Sequence, residues 1–325
     1  MTTHILELKL KSGLLSSLQS DTIYGHFCWR LKEQLGDNRL TDFIALYQSR
    51  KPVFTLSDGL LKVGDEIQFP RPFIFQQYEK AETKEAKIIS FVKNKENKKR
   101  TFLQLAEFNT FLSSGCVELS EVKEKEKQKS SKPPIQESLR VSVQIDRNSF
   151  TSSEGNLYSY NPKYTRADVS FVVLIKKHDE NAFVSFKCED LLRETFLLGF
   201  GKKKSSGYGQ FEVIGDLKEY TDIKEPENPN AFMVLGNYLP DMQDALTPIG
   251  YDINTKYGKF GEELALSANP FKNPIVLLTA GSCFKTNTIS SFYGRITNKE
   301  EISKTHKEAV QFGMPFSLNF HSNQV

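Results

Sequence analysis

The chain has 325 residues, of which 26% are charged and 38% hydrophobic, and its net charge is +3. This is the composition of an ordinary soluble protein with room for more than one core, and its net charge does not by itself indicate a nucleic-acid partner. Residues 1–220 carry 34 basic against 29 acidic side chains, whereas residues 221–325 carry 9 against 11. We therefore expect the N-terminal two thirds to be the part that binds a polyanion.

The cysteines and the apolar segments indicate a cytoplasmic protein. No C-x-x-C spacing is present, so neither a zinc site nor a disulfide framework is predicted, and no metal or cofactor is expected. No run approaches eighteen apolar residues, and the N-terminus lacks the apolar stretch of a signal peptide. The four cysteines are Cys28, Cys116, Cys188 and Cys283.

The first elements are a strand and a helix. Alternating apolar and charged residues from His4 to Leu10 predict a strand with one solvent-exposed face. Apolar residues at helical spacing then predict a helix that Asp21 caps at its N-terminus and Gly36 ends. Its buried stripe contains Ile23, Tyr24, Phe27, Cys28, Leu31 and Leu35.

Residues from about 37 to 139 do not continue this pattern and indicate a long insertion. The charge-dense runs Lys93–Arg100 and Glu121–Pro134 have almost no apolar residue, which is typical of solvated linkers.

Regular structure resumes with strands predicted over 140–146 and 169–175, separated by an aromatic and basic excursion over 147–168. A helix over 188–198 and a strand over 209–214 follow. The order strand, helix, strand, strand, helix, strand is that of the ferredoxin-like fold, an antiparallel sheet with two helices on one face. The other face of the sheet is expected to be free for binding.

A loop rich in glycine, Gly199–Gly209, links this last helix to its strand. Its four glycines permit positive φ and bracket three lysines. Backbone N–H groups in such a loop form a concavity that suits phosphate oxygens, and the lysines add charge to it. Three known phosphate or RNA motifs fit poorly: the Walker loop and the dinucleotide fingerprint need a strand before and a helix after, and Ser206–Phe211 matches the aromatic RNA-recognition signature only partly. A surface turn with solvated lysines is the alternative.

A Pro-rich stretch over 224–230 precedes a second part, with strands expected at 231–239, 275–279 and 316–320. We predict an α+β protein with two domains: a ferredoxin-like domain over 1–225, with an insertion at about 37–139, and a degenerate second copy over 230–325.

Several motifs together resemble the RAMP superfamily, and specifically the fourth Csm subunit of type III-A CRISPR interference complexes. The resemblance covers most of the chain apart from the charge-rich insertion. The glycine loop alone is common to many RAMP proteins. Its combination with the motifs S-D-T-I-Y-G and G-S-C-F is more specific to this subunit. Many members have two adjacent glycines in the loop, whereas here Phe200 separates the glycines. The motifs are S-D-T-I-Y-G at 20–25, Q-I-D-R-N at 144–148, E-G-N-L-Y at 154–158, the loop 199–211, G-S-C-F at 281–284 and Y-G-R at 293–295.

The resemblance implies tandem ferredoxin-like domains of RAMP type and a non-catalytic RNA-binding subunit. Such a subunit holds the repeat-derived 5′ tag of the CRISPR RNA (crRNA) and bridges the large polymerase-palm subunit to the backbone RAMP subunits in antiviral defence. The excursion 147–166 would match the hairpin that RAMP subunits wedge against guide nucleotides. The residues expected to contact RNA are Gly199, Gly201, Lys202, Lys203, Lys204, Ser205, Ser206, Gly207, Tyr208, Gly209, Arg147, Lys163, Tyr164 and Arg166.

Exposed aromatic residues in the excursion are candidates for stacking on bases, with a core or a protein interface as an equal alternative. They are Phe150, Tyr158, Tyr160 and Tyr164. Two other functions stay open: a RAMP-type endoribonuclease that uses His26 or His178, and the equivalent subunit of another type III complex. His178-Asp179 is interpreted as a hairpin turn between strands, and His26 as a satisfied histidine beside the core. Nothing in the sequence requires an enzyme.

Overall fold

The computed structural model describes residues 2–74, 100–117 and 133–323, and for residues 152–156 the backbone alone. Most of the two charge-dense runs lies outside the described residues. The helices are α1 (Ser20–Leu35), α2 (Asp37–Gln48), α3 (Leu105–Ser114), α4 (Glu180–Ser185) and α5 (Cys188–Leu197). None of the helices in these ranges is long and apolar enough to span a membrane.

An antiparallel sheet organises the N-terminal part. Its strands are β1 (Thr2–Leu10), β2 (Phe54–Leu56), β3 (Leu60–Val63), β4 (Glu66–Pro70), β5 (Phe102–Leu103), β10 (Val169–Lys177) and β11 (Phe211–Glu219). They lie in the order β11-β1-β10-β3-β4-β5, and β2 also pairs with β10. The predicted strands at the start of the chain, at 169–175 and at 209–214 are thus confirmed, as are the helices beginning near 21 and 188.

The second strand of the predicted pattern was assigned wrongly. Strand β10 pairs with β2 and β3, at Ile175↔Leu56 and Phe171↔Leu61, and not with the segment 140–145. That segment forms a separate two-stranded hairpin of β7 (Arg140–Ile145) and β8 (Ser152–Tyr160). Alternation predicted the strand but not its partner, because any antiparallel neighbour satisfies the same pattern.

Both faces of the central sheet are buried at strand β10. Tyr24 and Phe27 of α1 pack on one face with Leu8 and Val173, and Tyr24 also stacks on Phe312 with ring centroids 4.4 Å apart. On the other face, Leu174 packs against residues of a second sheet, among them Met233 and Leu318. The expectation that this second face is free for binding is therefore wrong.

The second sheet is also antiparallel. Its strands are β12 (Ala231–Val234), β13 (Leu246–Gly250), β16 (Cys283–Thr286) and β19 (Ser317–Phe320), and they lie in the order β13-β16-β12-β19. Between residues 230 and 323 the described chain contains short 3-10 turns but no α-helix. The domain boundary and the description of this part as a degenerate ferredoxin-like copy stay predictions.

Three further two-stranded ribbons complete the fold. They are β6 (Ile135–Glu137) with β9 (Lys163–Thr165), β14 (Ile253–Lys256) with β15 (Ile275–Leu278), and β17 (Arg295–Ile296) with β18 (Phe312–Gly313). The predicted strands at 231–239, 275–279 and 316–320 are thus found in shorter form.

Candidate nucleic-acid interface

The glycine-rich loop lies where strand β1 ends. The N–H of Lys11 donates to the Gln210 carbonyl (2.9 Å), and the N–H of Gly209 donates to the Gly13 carbonyl (2.9 Å). The segment 11–19, which leads from β1 to α1, therefore forms one wall of the loop.

The glycines of the loop allow its backbone to turn tightly. Gly199, Gly201, Gly207 and Gly209 all have positive φ, between 67° and 90°. At Gly209 a Cβ atom would lie 2.0 Å from the carbonyl oxygen of Phe200, whereas at Gly207 it would meet nothing within 4 Å. Phe200, which interrupts the glycines, is fully buried and packs against the ring of His26, 4.7 Å away.

Most of the loop's backbone N–H groups are used inside the protein. Phe200 donates to the Gly209 carbonyl (2.8 Å), Gly201 to Nε2 of His26 (3.1 Å) and Lys202 to Oγ of Ser16 (2.9 Å). The other N–H groups in and next to the loop that donate internally belong to Gly199, Ser206, Gly207, Tyr208, Gly209 and Gln210. Over the described part of the chain the N–H groups of Lys203, Lys204 and Ser205 have no internal acceptor. The predicted concavity is thus narrowed to these three successive amides, and its contact with phosphate stays a prediction.

The three loop lysines have different surroundings. Lys202 is exposed, and the described residues offer it no ion-pair partner. The Lys203 ammonium lies 3.8 Å from the ring centroid of Tyr160 and 4.6 Å from that of Tyr158. Lys204 forms an ion pair with Glu262. Lys202 is thus the lysine best placed to meet a phosphate, with Lys203 held beside it by the aromatic rings.

The base of the β7–β8 hairpin docks on this loop. The Tyr208 hydroxyl donates to the Tyr160 hydroxyl (3.1 Å), and their rings meet edge to face. Hydrogen bonds from Ser142 and Tyr208, with the charge of Lys203 nearby, lower the pKa of the Tyr160 hydroxyl. The loop and the hairpin base therefore form one polar, basic and aromatic surface.

Lys163 and Tyr164 join the same surface through the segment 11–19. Leu14 and Lys163 exchange two backbone hydrogen bonds of 2.9 Å each. A Cβ atom at Gly13 would lie 2.8 Å from the Pro162 Cβ and 3.0 Å from the Tyr164 hydroxyl, so glycine lets both side chains pack closely on this segment. The structure thus places Tyr164 beside the segment that walls the loop, whereas the Lys163 side chain forms an ion pair with Glu137 (3.8 Å). Their contact with RNA stays a prediction.

Arg147 lies apart from this surface, and the Arg166 guanidinium is engaged by an acidic side chain. Arg147 is exposed beyond the end of β7, roughly 20 Å along the strand from Arg140. The Arg166 guanidinium forms two hydrogen bonds with the Asp168 carboxylate, of 3.0 and 2.8 Å. Phe150, at the hairpin tip, is 85% exposed.

His26 is held as a neutral acceptor beneath the loop. Burial is the main cause that lowers its pKa to about 4, and its Nε2 atom accepts the Gly201 N–H. The lone pair that a general base would use therefore already has a partner.

His178 lies at the opposite end of the central sheet. Burial lowers its pKa to about 3, and its Nε2 atom lies 3.0 Å from the Thr55 hydroxyl. The predicted hairpin turn is wrong here, because the Asp179 carboxylate accepts the Ala182 N–H (2.9 Å) and so caps helix α4.

Asp21 is a buried network residue and not a helix cap. Its carboxylate accepts hydrogen bonds from Asn237 (2.9 Å), Lys256 (2.5 Å) and Gln311 (2.5 Å). The first amide of the helix, at Ser20, donates instead to the Asp58 carboxylate (2.7 Å). Over the described parts of the chain no group of three or more His, Cys, Asp or Glu could hold a metal ion.

Neither a protein-family model nor a curated protein sequence matches the chain. Solved structures do match it over its whole length. A chain in the crystal structure of a Csm1-Csm4 cassette in complex with cA4 has a TM-score of 0.63 and 16% identity, and one in the cassette with pppApA has 0.64 and 14%. A chain in the Csm3-Csm4 subcomplex of the type III-A CRISPR-Cas interference complex has 0.61 and 18%. Each match covers 99% of this chain and 100% of the other. Csm4 is the subunit common to these structures. The chain has the Csm4 fold.

The Csm4 fold agrees with the resemblance drawn from the motifs and with an α+β architecture of antiparallel sheets. The sequence did not identify Ser16, His26 and Glu262 as partners of the glycine-rich loop. Each contacts the loop across 58 to 186 positions of sequence, and a lone Ser, His or Glu carries no local pattern. Only the neighbouring motif S-D-T-I-Y-G marked the region of His26.

Proposed function

We propose that this chain is a non-catalytic RNA-binding subunit of a type III-A CRISPR effector complex. It holds the repeat-derived 5′ tag of the crRNA and bridges the large palm-domain subunit to the backbone RAMP subunits in the cytoplasm. The observation that carries this proposal is the full-length likeness to the subunit shared by Csm1-Csm4 and Csm3-Csm4 assemblies. In those assemblies the same subunit is found with Csm1 in one case and with Csm3 in the other, as is expected of a subunit that bridges two partners.

The surface around the glycine-rich loop supports the RNA role. Lys202 and Lys203 provide charge without requiring a sequence, which is how proteins position a phosphate backbone. Tyr158 is half exposed beside them and offers a ring face for an unstacked base. Because most of the loop amides are used internally, we infer that the lysine side chains, together with the three amides of residues 203–205, carry the phosphate contact.

A processing endoribonuclease is the weaker candidate. His26 accepts the Gly201 N–H and stays neutral at pH 7, which does not suit a proton-transfer role. His178 lies near the start of β1, at the other end of the sheet from the loop. The equivalent subunit of another type III complex would share this fold and role, and only its partners would differ.

The RNA role is tested by binding of single-stranded RNA that carries the host's repeat-derived 5′ end, measured over a range of salt concentrations. Lys202→Ala, Lys203→Ala and the double variant should weaken binding and reduce the slope of log K against log salt by about 0.7 for each phosphate that a lysine no longer neutralises. Lys224→Ala is the matched control, since Lys224 is exposed near the start of β1, roughly 25 Å from the loop. An unchanged slope in the double variant would remove the loop from the RNA site.

The bridging role has its own test. A tagged large subunit should capture the backbone subunit only when this chain is present. Equal capture without it would contradict the bridge.

A further inference from the structure

A second ribbon beside the glycine-rich loop has an unusual outer face. The ribbon consists of residues 257–273, which connect β14 to β15. Its two arms run antiparallel, and Lys259 on one arm lies opposite Phe271 on the other. Two backbone hydrogen bonds fix this pairing, from Phe260 to the Pro270 carbonyl (2.8 Å) and from Lys272 to the Gly258 carbonyl (2.9 Å). The ribbon therefore has a defined register and two distinct faces.

Side chains alternate between the two faces as in any strand. Phe260 and Lys272 point inward, where the Lys272 ammonium lies 5.3 Å from the Phe260 ring centroid. Tyr257, Lys259 and Phe271 share the outer face. Tyr257 is 78% exposed and Phe271 is 64% exposed, and the Lys259 ammonium lies 5.9 Å from the Phe271 ring centroid. The outer face thus carries two exposed aromatic rings and a lysine that lies beside one of them.

The inner face fixes the ribbon to helix α1. The Lys272 ammonium donates to Oε1 of Gln311 (3.0 Å), and Nε2 of Gln311 donates to the buried Asp21 carboxylate (2.5 Å). Lys256, at the start of the ribbon, donates to the same carboxylate (2.5 Å). These bonds fix the ribbon that carries the outer aromatic residues before any ligand arrives, which reduces the backbone entropy lost on binding.

The ribbon is also continuous with the glycine-rich loop. Glu262, within the ribbon, forms the ion pair with Lys204 of the loop. The ribbon therefore adjoins the loop along the protein surface.

We propose that Tyr257, Lys259 and Phe271 form a second contact for single-stranded RNA, which extends the RNA path from the loop onto the C-terminal part. This inference rests on the RNA role proposed above. Aromatic rings that accept successive bases, with a cation near the backbone, are the usual construction of a sequence-tolerant single-strand site. A protein-docking core is instead depleted of charged residues, whereas here Lys259 shares the exposed face with the two rings.

The test uses the full chain and a labelled single-stranded RNA that spans both surfaces. The double variant Tyr257→Ala with Phe271→Ala should bind at least about tenfold more weakly, with an unchanged salt slope, because stacking and not charge is removed. Replacing both rings with Leu should weaken binding similarly, since Leu keeps an apolar surface but has no ring face. Lys259→Ala should reduce the salt slope by about 0.7. Tyr251→Ala, at an aromatic residue exposed just before β14, is the control and should bind as the wild type does.

The results separate this inference from the function on which it rests. Wild-type affinity in the ring variants, while Lys202→Ala still binds weakly, overturns the ribbon site and leaves the loop site standing. Wild-type affinity in the ring variants and also in Lys202→Ala contradicts both the ribbon site and the loop site. Ring variants that bind RNA normally but no longer assemble with the large or backbone subunit would assign this face to a protein partner, and would also overturn the inference.

Discussion

The ammonium nitrogen of Lys203 lies 3.8 Å from the ring centroid of Tyr160, although the two residues come from different elements. This contact joins the glycine-rich loop to the base of the β7–β8 hairpin. The ring contact fixes the position of the Lys203 ammonium. The backbone of Lys203 has a positive φ, in a turn rich in glycine. The loop and the hairpin are therefore expected to act on RNA as one unit.

Replacing Tyr160 tests this coupling. Tyr160→Phe keeps the ring under Lys203 and removes only the hydroxyl bonds to Ser142 and Tyr208, so RNA affinity should stay within about twofold of the wild type. Tyr160→Ala removes the ring, and a partly exposed cation–π contact contributes about 0.5–1 kcal/mol, so affinity should fall about two- to fivefold. Equal affinities of the two variants, measured by fluorescence anisotropy, would show that the ring does not position Lys203 for RNA.

Two glycines of the loop should differ in their tolerance of alanine. At Gly209 a Cβ atom would lie 2.0 Å from the Phe200 carbonyl oxygen, and φ is +67°, so Gly209→Ala should lower the free energy of unfolding by about 3 kcal/mol or more. Gly207 has φ of +85° but open space around it, so Gly207→Ala should lower it by about 1 kcal/mol. Urea denaturation measures both, and similar decreases would contradict the close approach of Gly209 to Phe200.

The buried carboxylate of Asp21 should matter for stability. Asp21→Ala removes the acceptor for Asn237, Lys256 and Gln311, and leaves the Lys256 ammonium without its buried partner. Breaking such a pair costs about 3–5 kcal/mol. Asp37→Ala, at an exposed carboxylate in the first turn of α2, should change stability by less than about 1 kcal/mol.

A small effect of Asp21→Ala in denaturant titrations would show that the network does not tie α1 to the C-terminal part.

His26 predicts a specific dependence of stability on pH. Burial lowers its pKa to about 4 in the folded protein, whereas it is about 6.5 in an unfolded chain. The unfolded state therefore binds the proton first, so this contribution to stability is complete above about pH 6.5 and is lost as the pH falls towards 4. His26→Gln can still accept the Gly201 N–H but does not titrate.

Between pH 7 and pH 4 the free energy of unfolding of the wild type should therefore fall by about 2 kcal/mol more than that of His26→Gln. This figure is smaller than the full difference in pKa would give, because solvent partly screens the ring. His178 and Asp58 also titrate with shifted pKa values, but they are present in both proteins and cancel in the difference. Parallel pH profiles of the two proteins would contradict a buried neutral His26.

Local patterns predicted much of the fold. Apolar alternation located β1 and β10, and helical spacing located α1 and α5, because these elements bury one face or both against a common core. Helices α2 and α3 were missed, since short apolar pieces on either side of charge-rich sequence gave no long periodic run. Strands β2 and β3 were too short to be recognised within the expected insertion.

The candidate site was predicted by composition but not by geometry. Four glycines and three lysines identified the loop, yet its sequence does not show that Gly201 and Lys202 donate to His26 and Ser16. The role of Asp21 was misassigned for the same reason. A carboxylate at the start of a helix is usually a cap, and only the distant residues Asn237, Lys256 and Gln311 show that this one is not.

We propose above that this chain holds the 5′ tag of the crRNA within an effector complex. The most direct test is to purify the tagged protein from its native host at low salt, crosslink it with ultraviolet light, and sequence both the attached RNA and the crosslinked peptides. We expect short RNAs that share one repeat-derived 5′ end, crosslinked to peptides that contain Lys202 and Tyr208, and copurified with a large palm-domain subunit. Uncut repeat precursors without such a partner, or the absence of crosslinked RNA, would contradict it.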